Sequence, residues 1–245
     1  MIKGIDISSW QGQVNFTALP SDIEFVIARS SYGTGYIDKQ FARNIVELRK
    51  LPNKAHGFYH YAYPTYNKAE DEADWFLQTV GTLQQGEFLC LDFEERYTDP
   101  VSWCLAFLNR VSHVLGGYKP LIYINKYLMT SYDWSPIVAL GYGLWLAYWD
   151  YNPDAPAPAG PWSVTAIRQY SNHETVTGIA GNVDGNVFYG DLTQLRKYGY
   201  TDIPTDEWKV KYDALLAEHQ IALAHISNLI DAIKKIDEIA EDALK

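Results

Sequence analysis

Seven short apolar runs, at residues 2–7, 24–29, 55–61, 87–92, 120–125, 143–148 and 164–170, recur along the chain with longer helical patterns between them. Each run has the length of a buried strand and is too short for a globular helix. Between them, 38–51 sets Phe41, Ile45 and Leu48 at helical spacing, and 67–80 opens on Asn67 with an acidic first turn. A third pattern, 100–115, begins with Asp99-Pro100, a cap followed by proline at the first helical position. Strands that alternate with helices form a mainly parallel sheet, and with seven or eight strands the economical solution is closure. The expectation is an α/β fold, a distorted (β/α) TIM-like barrel over residues 1–200. The working residues of such barrels lie where strands end.

Carboxylates stand at those ends. Asp92 and Glu94 close the run 87–92, and side chains two apart on a strand share a face. Like charges brought together at the end of a buried strand raise one pKa, so one carboxyl stays protonated while its neighbour ionises. An isolated Asp-x-Glu is more often a strand running out into water. The pattern gains weight because Asp6 ends the first run and Asp184 sits in a Gly/Asn-rich turn, 181–186, beside a short strand.

Aromatic residues make up 15% of the chain, and 59–63 and 145–149 cluster them. Flat rings with polar tips suit a carbohydrate groove as well as a core. A net charge of −10 without a basic stripe argues against a nucleic-acid partner. Cys90 and Cys104 lack metal or redox spacing, and Cys90 reads as a reduced core residue. No stretch is long and apolar enough for a membrane span, and the start carries no signal-peptide pattern. The expectation is synthesis in the cytoplasm, with release by some other agent if the protein acts outside.

Composition changes near 200–205. Residues 205–245 contain no Gly and no Pro, and Trp208, Tyr212, Leu215, His219, Ala222, Ile226, Leu229, Ile233, Ile236, Ala240 and Ala243 alternate spacings of four and three. That is a coiled-coil seam, on a long C-terminal α-helix of roughly 60 Å. Leu216, Leu223 and Ile230 widen it. The segment is expected to drive homo-oligomerisation or docking rather than lie on its own barrel. The Pro-rich stretch 152–161 reads as a loop, since strand material resumes after it.

Gly4-Ile5-Asp6-Ile7-Ser8-Ser9-Trp10-Gln11-Gly12, Phe25-Val26-Ile27-Ala28-Arg29, Gly57-Phe58-Tyr59-His60-Tyr61, Leu91-Asp92-Phe93-Glu94, Trp145-Leu146-Ala147-Tyr148 with Gln169-Tyr170, and Gly181-Asn182-Val183-Asp184 follow one another in order. Together they resemble glycoside hydrolase family 25, the Chalaropsis-type lysozymes, across roughly residues 1–192. The resemblance implies cleavage of the β-1,4 bond from N-acetylmuramic acid to N-acetylglucosamine in bacterial peptidoglycan. The family includes many bacteriophage endolysins and some bacterial autolysins; with no signal-peptide pattern and a tail suited to assembly, the expectation is a phage enzyme made in the host cytoplasm and released to the wall by a holin. Two positions depart from the family's pattern: Arg29 stands where a Lys is frequent, and Phe93 stands where the acidic pair usually encloses an aliphatic residue. The family's catalytic domain does not include the C-terminal helix.

The resemblance and strand-end position together make Glu94 the proton donor and Asp92 its partner. Asp92 acts either as direct nucleophile or, the favoured role, by orienting the substrate's own 2-acetamido group. Asp6 and Asp184 shape the field of the pair. Tyr61, Tyr148, Gln169, Tyr59 and Tyr32 are the candidate substrate contacts. His60 faces opposite its flanking tyrosines and is read as structural; Glu95 points away from Glu94 as a rim charge. No cofactor or metal is expected. The competing readings are a divalent-cation phosphoester hydrolase built on the same acids and a non-catalytic wall-binding or virion structural subunit.

Overall fold

In this computed structural model the described residues are 1–201 together with Leu215, Ile226, Leu229, Ile230, Ile233 and Lys234. Met1–Asp202 forms one compact unit and Ile203–Lys245 a second. The elements of the first unit run β1 (Ile2–Ile7), β2 (Ile23–Tyr32), β3 (Tyr36–Ile37), α1 (Phe41–Leu48), β4 (Ala55–Tyr61), α2 (Ala69–Val80), β5 (Phe88–Asp92) and α3 (Pro100–Val114). They continue through β6 (Leu121–Asn125), α4 (Lys126–Ser131), α5 (Ser135–Ala139), β7 (Leu144–Ala147), β8 (Ile167–Glu174), β9 (Val183–Phe188) and α6 (Leu192–Arg196).

Eight of these strands close a barrel in the order β1-β9-β8-β7-β6-β5-β4-β2, with β2 returning to β1; β3 hangs on the outer edge of β2. Neighbours from β1 through β2, β4, β5, β6 and β7 to β8 are parallel. The last strand, β9, runs antiparallel to both β8 and β1. It follows β8 after a short loop, and a return without a crossover can pair only antiparallel.

Both faces of the sheet are buried, which is why the strands read as near-continuous apolar runs. Phe25, Ile27, Phe88, Cys90, Leu121, Trp145 and Ile167 fill the interior, and Leu195 of α6 packs with them. Val26, Phe58, Leu89, Leu91, Ile122 and Leu146 face outward onto Phe76, Phe107 and Leu108 of α2 and α3. Burying each such side chain contributes about 1.5–3 kcal/mol. Two interior glycines make room for phenyl rings: a Cβ on Gly4 would lie 2.4 Å from the Phe25 ring, and one on Gly57 2.5 Å from Phe88.

Several expected boundaries move. Strand β5 stops at Asp92, so Glu94 lies beyond it. Asp184 sits inside β9 rather than in a turn, opposite Asp6. Helix α2 begins at Ala69 without a side-chain cap; Asn67 instead donates to Glu72 Oε1 at 2.9 Å. Asp99 does cap α3, accepting from Ser102 N at 3.2 Å with Pro100 in the first turn. The loop 152–161 is tied down by the buried Arg168, which donates to Asn152 O at 3.0 Å and to Asp150. No helix among the described residues is long and apolar enough to cross a membrane. Most of the expected helix 205–245 lies outside the described residues; the six described positions within it are helical and exposed.

Candidate active site

The parity that packs the barrel also builds its mouth. Continuing the interior positions to the carboxyl ends of the parallel strands delivers Asp6, Arg29, Tyr61, Asp92, Tyr123 and Gln169. The antiparallel β9 delivers Asp184 and Asn186. Register places them side by side: Tyr61 opposite Asp92, Asp92 opposite Tyr123, Gln169 opposite Asn186, and Asp6 opposite Asp184.

Two amides fix the acids on the β1–β9 side. Gln169 Oε1 accepts from Tyr123 Oη at 3.0 Å and Trp149 Nε1 at 2.9 Å. Its NH2 therefore turns to Asp6 Oδ2 at 2.9 Å and Asp184 Oδ2 at 3.2 Å. Likewise Asn186 Oδ1 accepts from Trp145 Nε1 at 2.8 Å, and its Nδ2 donates to Asp6 at 2.7 Å. Asp6 is thus buried, oriented and paired. Even so, burial and then the charge of Asp184 push its carboxyl well above the usual range, the two amides only moderating the rise.

Asp92 is held differently. It is 6% exposed, and its Oδ1 is buried with no hydrogen-bond partner among the described residues. Burial, then the charges of Glu94 and Asp6, drive its pKa well up, with Arg29 pulling the other way. Glu94 stands past the strand end and is exposed as a residue. Its carboxyl is also raised, by desolvation in the crowded mouth and then by Asp184 and Glu95. We read that desolvation as partial, because water reaches the side chain. Asp184 is raised by desolvation and lowered by a hydrogen bond to Asp6. Four acids thus sense one another, each above its ordinary value, and among the described residues no three His, Cys, Asp or Glu side chains are gathered as a metal site.

The aromatic candidates divide. Tyr61 is half-buried and donates to Glu95 Oε1 at 2.9 Å, so Glu95 turns toward the mouth and is no detached rim charge. Tyr59 lies in the barrel core beneath the acids, 8% exposed and edge-on to Trp145. Burial and the Asp6 charge keep its phenol neutral. Tyr32 is at the rim, with its ring 4.4 Å from that of Tyr36 and 5.9 Å from that of Tyr63. Tyr148 is a correction: it packs against the outer core between Lys126 Nζ and the Arg168 guanidinium. Parity sends Trp145, Ala147 and Trp149 inward and Tyr148 outward, so Trp149 takes the place expected of Tyr148.

His60 faces away from the site, fully buried between Ser31 Oγ at 2.9 Å and Glu72 Oε2 at 2.8 Å, and burial lowers its pKa. Sequence reasoning passed over Tyr123 and Asn186, and took in Trp149 only as part of the ring cluster 145–149. Asn186 follows Asp184 by two residues, the same signal that paired Asp92 with Glu94.

The model for glycosyl hydrolases family 25 matches residues 5–179. Lysozyme M1 of Streptomyces globisporus is 25% identical over 209 residues, 79% of this chain and 70% of that one. The structure of a muramidase from Trichobolus zukalii superimposes with a TM-score of 0.68 at 25% identity, covering 82% of this chain and 99% of the other. The catalytic domain of endolysin ply40, from bacteriophage P40 of Listeria monocytogenes, gives 0.66 at 26% identity over 80% and 97%.

Proposed function

Since the chain belongs to glycosyl hydrolases family 25 and is a peptidoglycan hydrolase of the lysozyme type, cleaving between N-acetylmuramic acid and N-acetylglucosamine, we propose how its residues divide the work. The reading rests on one observation: Asp92 presents a buried carboxyl oxygen that no group among the described residues satisfies. Leaving such an acceptor bare costs about 1–3 kcal/mol. The 2-acetamido N–H of the bound sugar is a donor of the right kind. Accepting it favours the ionised form of Asp92 and turns the acetamido oxygen toward the anomeric carbon, where it attacks as the glycosidic bond breaks. No protein nucleophile is then needed.

Glu94 is the proton donor. It stands past the end of β5 and is exposed, and desolvation followed by the charges of Asp184 and Glu95 favours its protonated form. Gln169 and Asn186 hold Asp6, and Gln169 also Asp184, in place. Tyr61 and Trp149 are the sugar contacts. Residues 1–200 form the catalytic unit, and 205–245, most of which lies outside the described residues, joins copies of the chain through the apolar seam of its sequence. The likeness to a phage endolysin supports a role in host lysis, with the enzyme reaching the wall after release through a membrane lesion.

The decisive experiment digests peptidoglycan and identifies the new reducing ends. N-acetylmuramic acid is expected; glucosamine ends or cleaved peptide would overturn the reading. Glu94→Gln should slow wall clearance by at least about 100-fold while leaving the circular-dichroism spectrum unchanged. Clearance at the wild-type rate would remove Glu94 from the mechanism.

A further inference from the structure

Beside the acids the mouth continues into a groove of about 500 Å³ lined by Ser9, Trp10, Arg29, Tyr32, Tyr36 and Lys39. Arg29 joins the two: it pulls down the pKa of Asp92, and its side chain reaches Ser9 Oγ at 3.2 Å. The groove is rigidly built. Trp10 rides on a short turn closed by a reciprocal Ser8–Gln11 cap, yet it is 85% exposed. The buried Asp38 accepts from Arg29 Nε at 2.9 Å and Ser9 N at 3.0 Å, and Tyr36 O accepts from Trp75 Nε1 at 3.1 Å.

Charge tells what the groove is shaped for. Asp38 neutralises Arg29. Lys39, by contrast, is exposed and makes no hydrogen bond or ion pair with any described residue, on a chain whose net charge is −10. A fixed, ring-walled trough with one unspent cation at its edge fits an extended, carboxylate-bearing chain better than a neutral sugar. Muramic acid carries such a chain: its lactyl group is amide-linked to a short peptide with free carboxylates.

We propose that this groove binds the peptide stem of the substrate, with Trp10, Tyr32 and Tyr36 packing along it and Lys39 pairing with a stem carboxylate. The inference rests on the muramidase reading and adds a preference for stem-bearing over bare glycan.

The test measures kcat/KM on soluble glycan strands with intact stems and on the same strands stripped by an amidase, for the wild type, Lys39→Glu and Trp10→Ala. The wild type should favour stem-bearing strands by roughly tenfold, the scale of one charged hydrogen bond. Both substitutions should bring that ratio toward one. A ratio that neither substitution changes, or an equal loss on both substrates as for a plain sugar subsite, overturns the proposal. Should the wild type cut neither strand, the muramidase reading fails instead. Titration of the free lactyl-tetrapeptide against tryptophan fluorescence then decides the groove: saturable binding abolished in Lys39→Glu upholds it, and no binding ends it.

Discussion

Asp92 shows how a single side chain can serve chemistry at the expense of the fold. Its folded-state pKa is raised, so the folded chain holds a proton that the unfolded chain gives up. The favourable contribution of that proton is complete below the unfolded value, near 4, and disappears as pH climbs through the raised folded value. Asp92→Asn keeps the shape and removes the charge. Its melting temperature should exceed that of the wild type by several degrees at pH 7, about 2–4 °C for each kcal/mol, and the gain should shrink toward pH 4. Thermal scans across that range, with wall clearance lost at every pH, check it; a variant less stable at pH 7 would show that the carboxylate is satisfied after all. Asp6, Asp92 and Glu94 were legible in the sequence because charges at the ends of apolar runs are conspicuous. Neutral polar residues are not: Asn186 and Tyr123 sit on inward positions that their residue types do not advertise. Tyr148 was misread because a cluster of rings was taken whole, when alternation sorts 145, 147 and 149 from 146 and 148.

Glu87 does at the level of elements what the site acids avoid. It stands just before β5 and binds the end of α1 through Arg49 Nε at 2.7 Å, β4 through His56 Nε2 at 3.1 Å, and the preceding turn through Gln84 N at 2.8 Å. Burial alone would raise its carboxyl, but these partners outweigh it and take the pKa down to about 2. Here the sign reverses. The stabilisation is present above the unfolded value and is lost as pH falls toward 2. Glu87→Gln should cost roughly 2–3 kcal/mol at pH 7 and progressively less below pH 4, as urea titrations at pH 7 and pH 3 would show. An equal loss at both would mean that the ion pair is not what holds these elements. The strands were readable from their apolar runs, and α3 from its Asp-Pro start. Asn67 misled because an Asn two residues ahead of a helix resembles a cap, whereas here the buried Glu72 takes its amide. Strand β9 escaped because a Gly- and Asn-rich stretch has the composition of a turn; Asp184 and Asn186 instead point inward, and on the opposite face a Cβ on Gly185 would lie 2.5 Å from Glu174.

On the scale of the whole molecule, the chain divides into a barrel and a trailing unit. The described seam positions of the second, Leu215, Ile226, Leu229 and Ile233, are 52–64% exposed. Apolar side chains left in water at heptad spacing are stabilised by finding a second copy. Deleting 205–245 should therefore reduce the mass measured by light scattering to that of one chain, while turnover of soluble glycan per site stays as it was. An unchanged mass would refute assembly through this segment. The barrel itself closes through its last strand, which is also the strand that carries Asp184 and Asn186 into the mouth. A polypeptide still emerging from the ribosome, with everything through β8 already threaded out, therefore has Asp6, Asp92 and Glu94 but lacks Asp184 and Asn186. The full set of mouth residues assembles only when the ring is sealed.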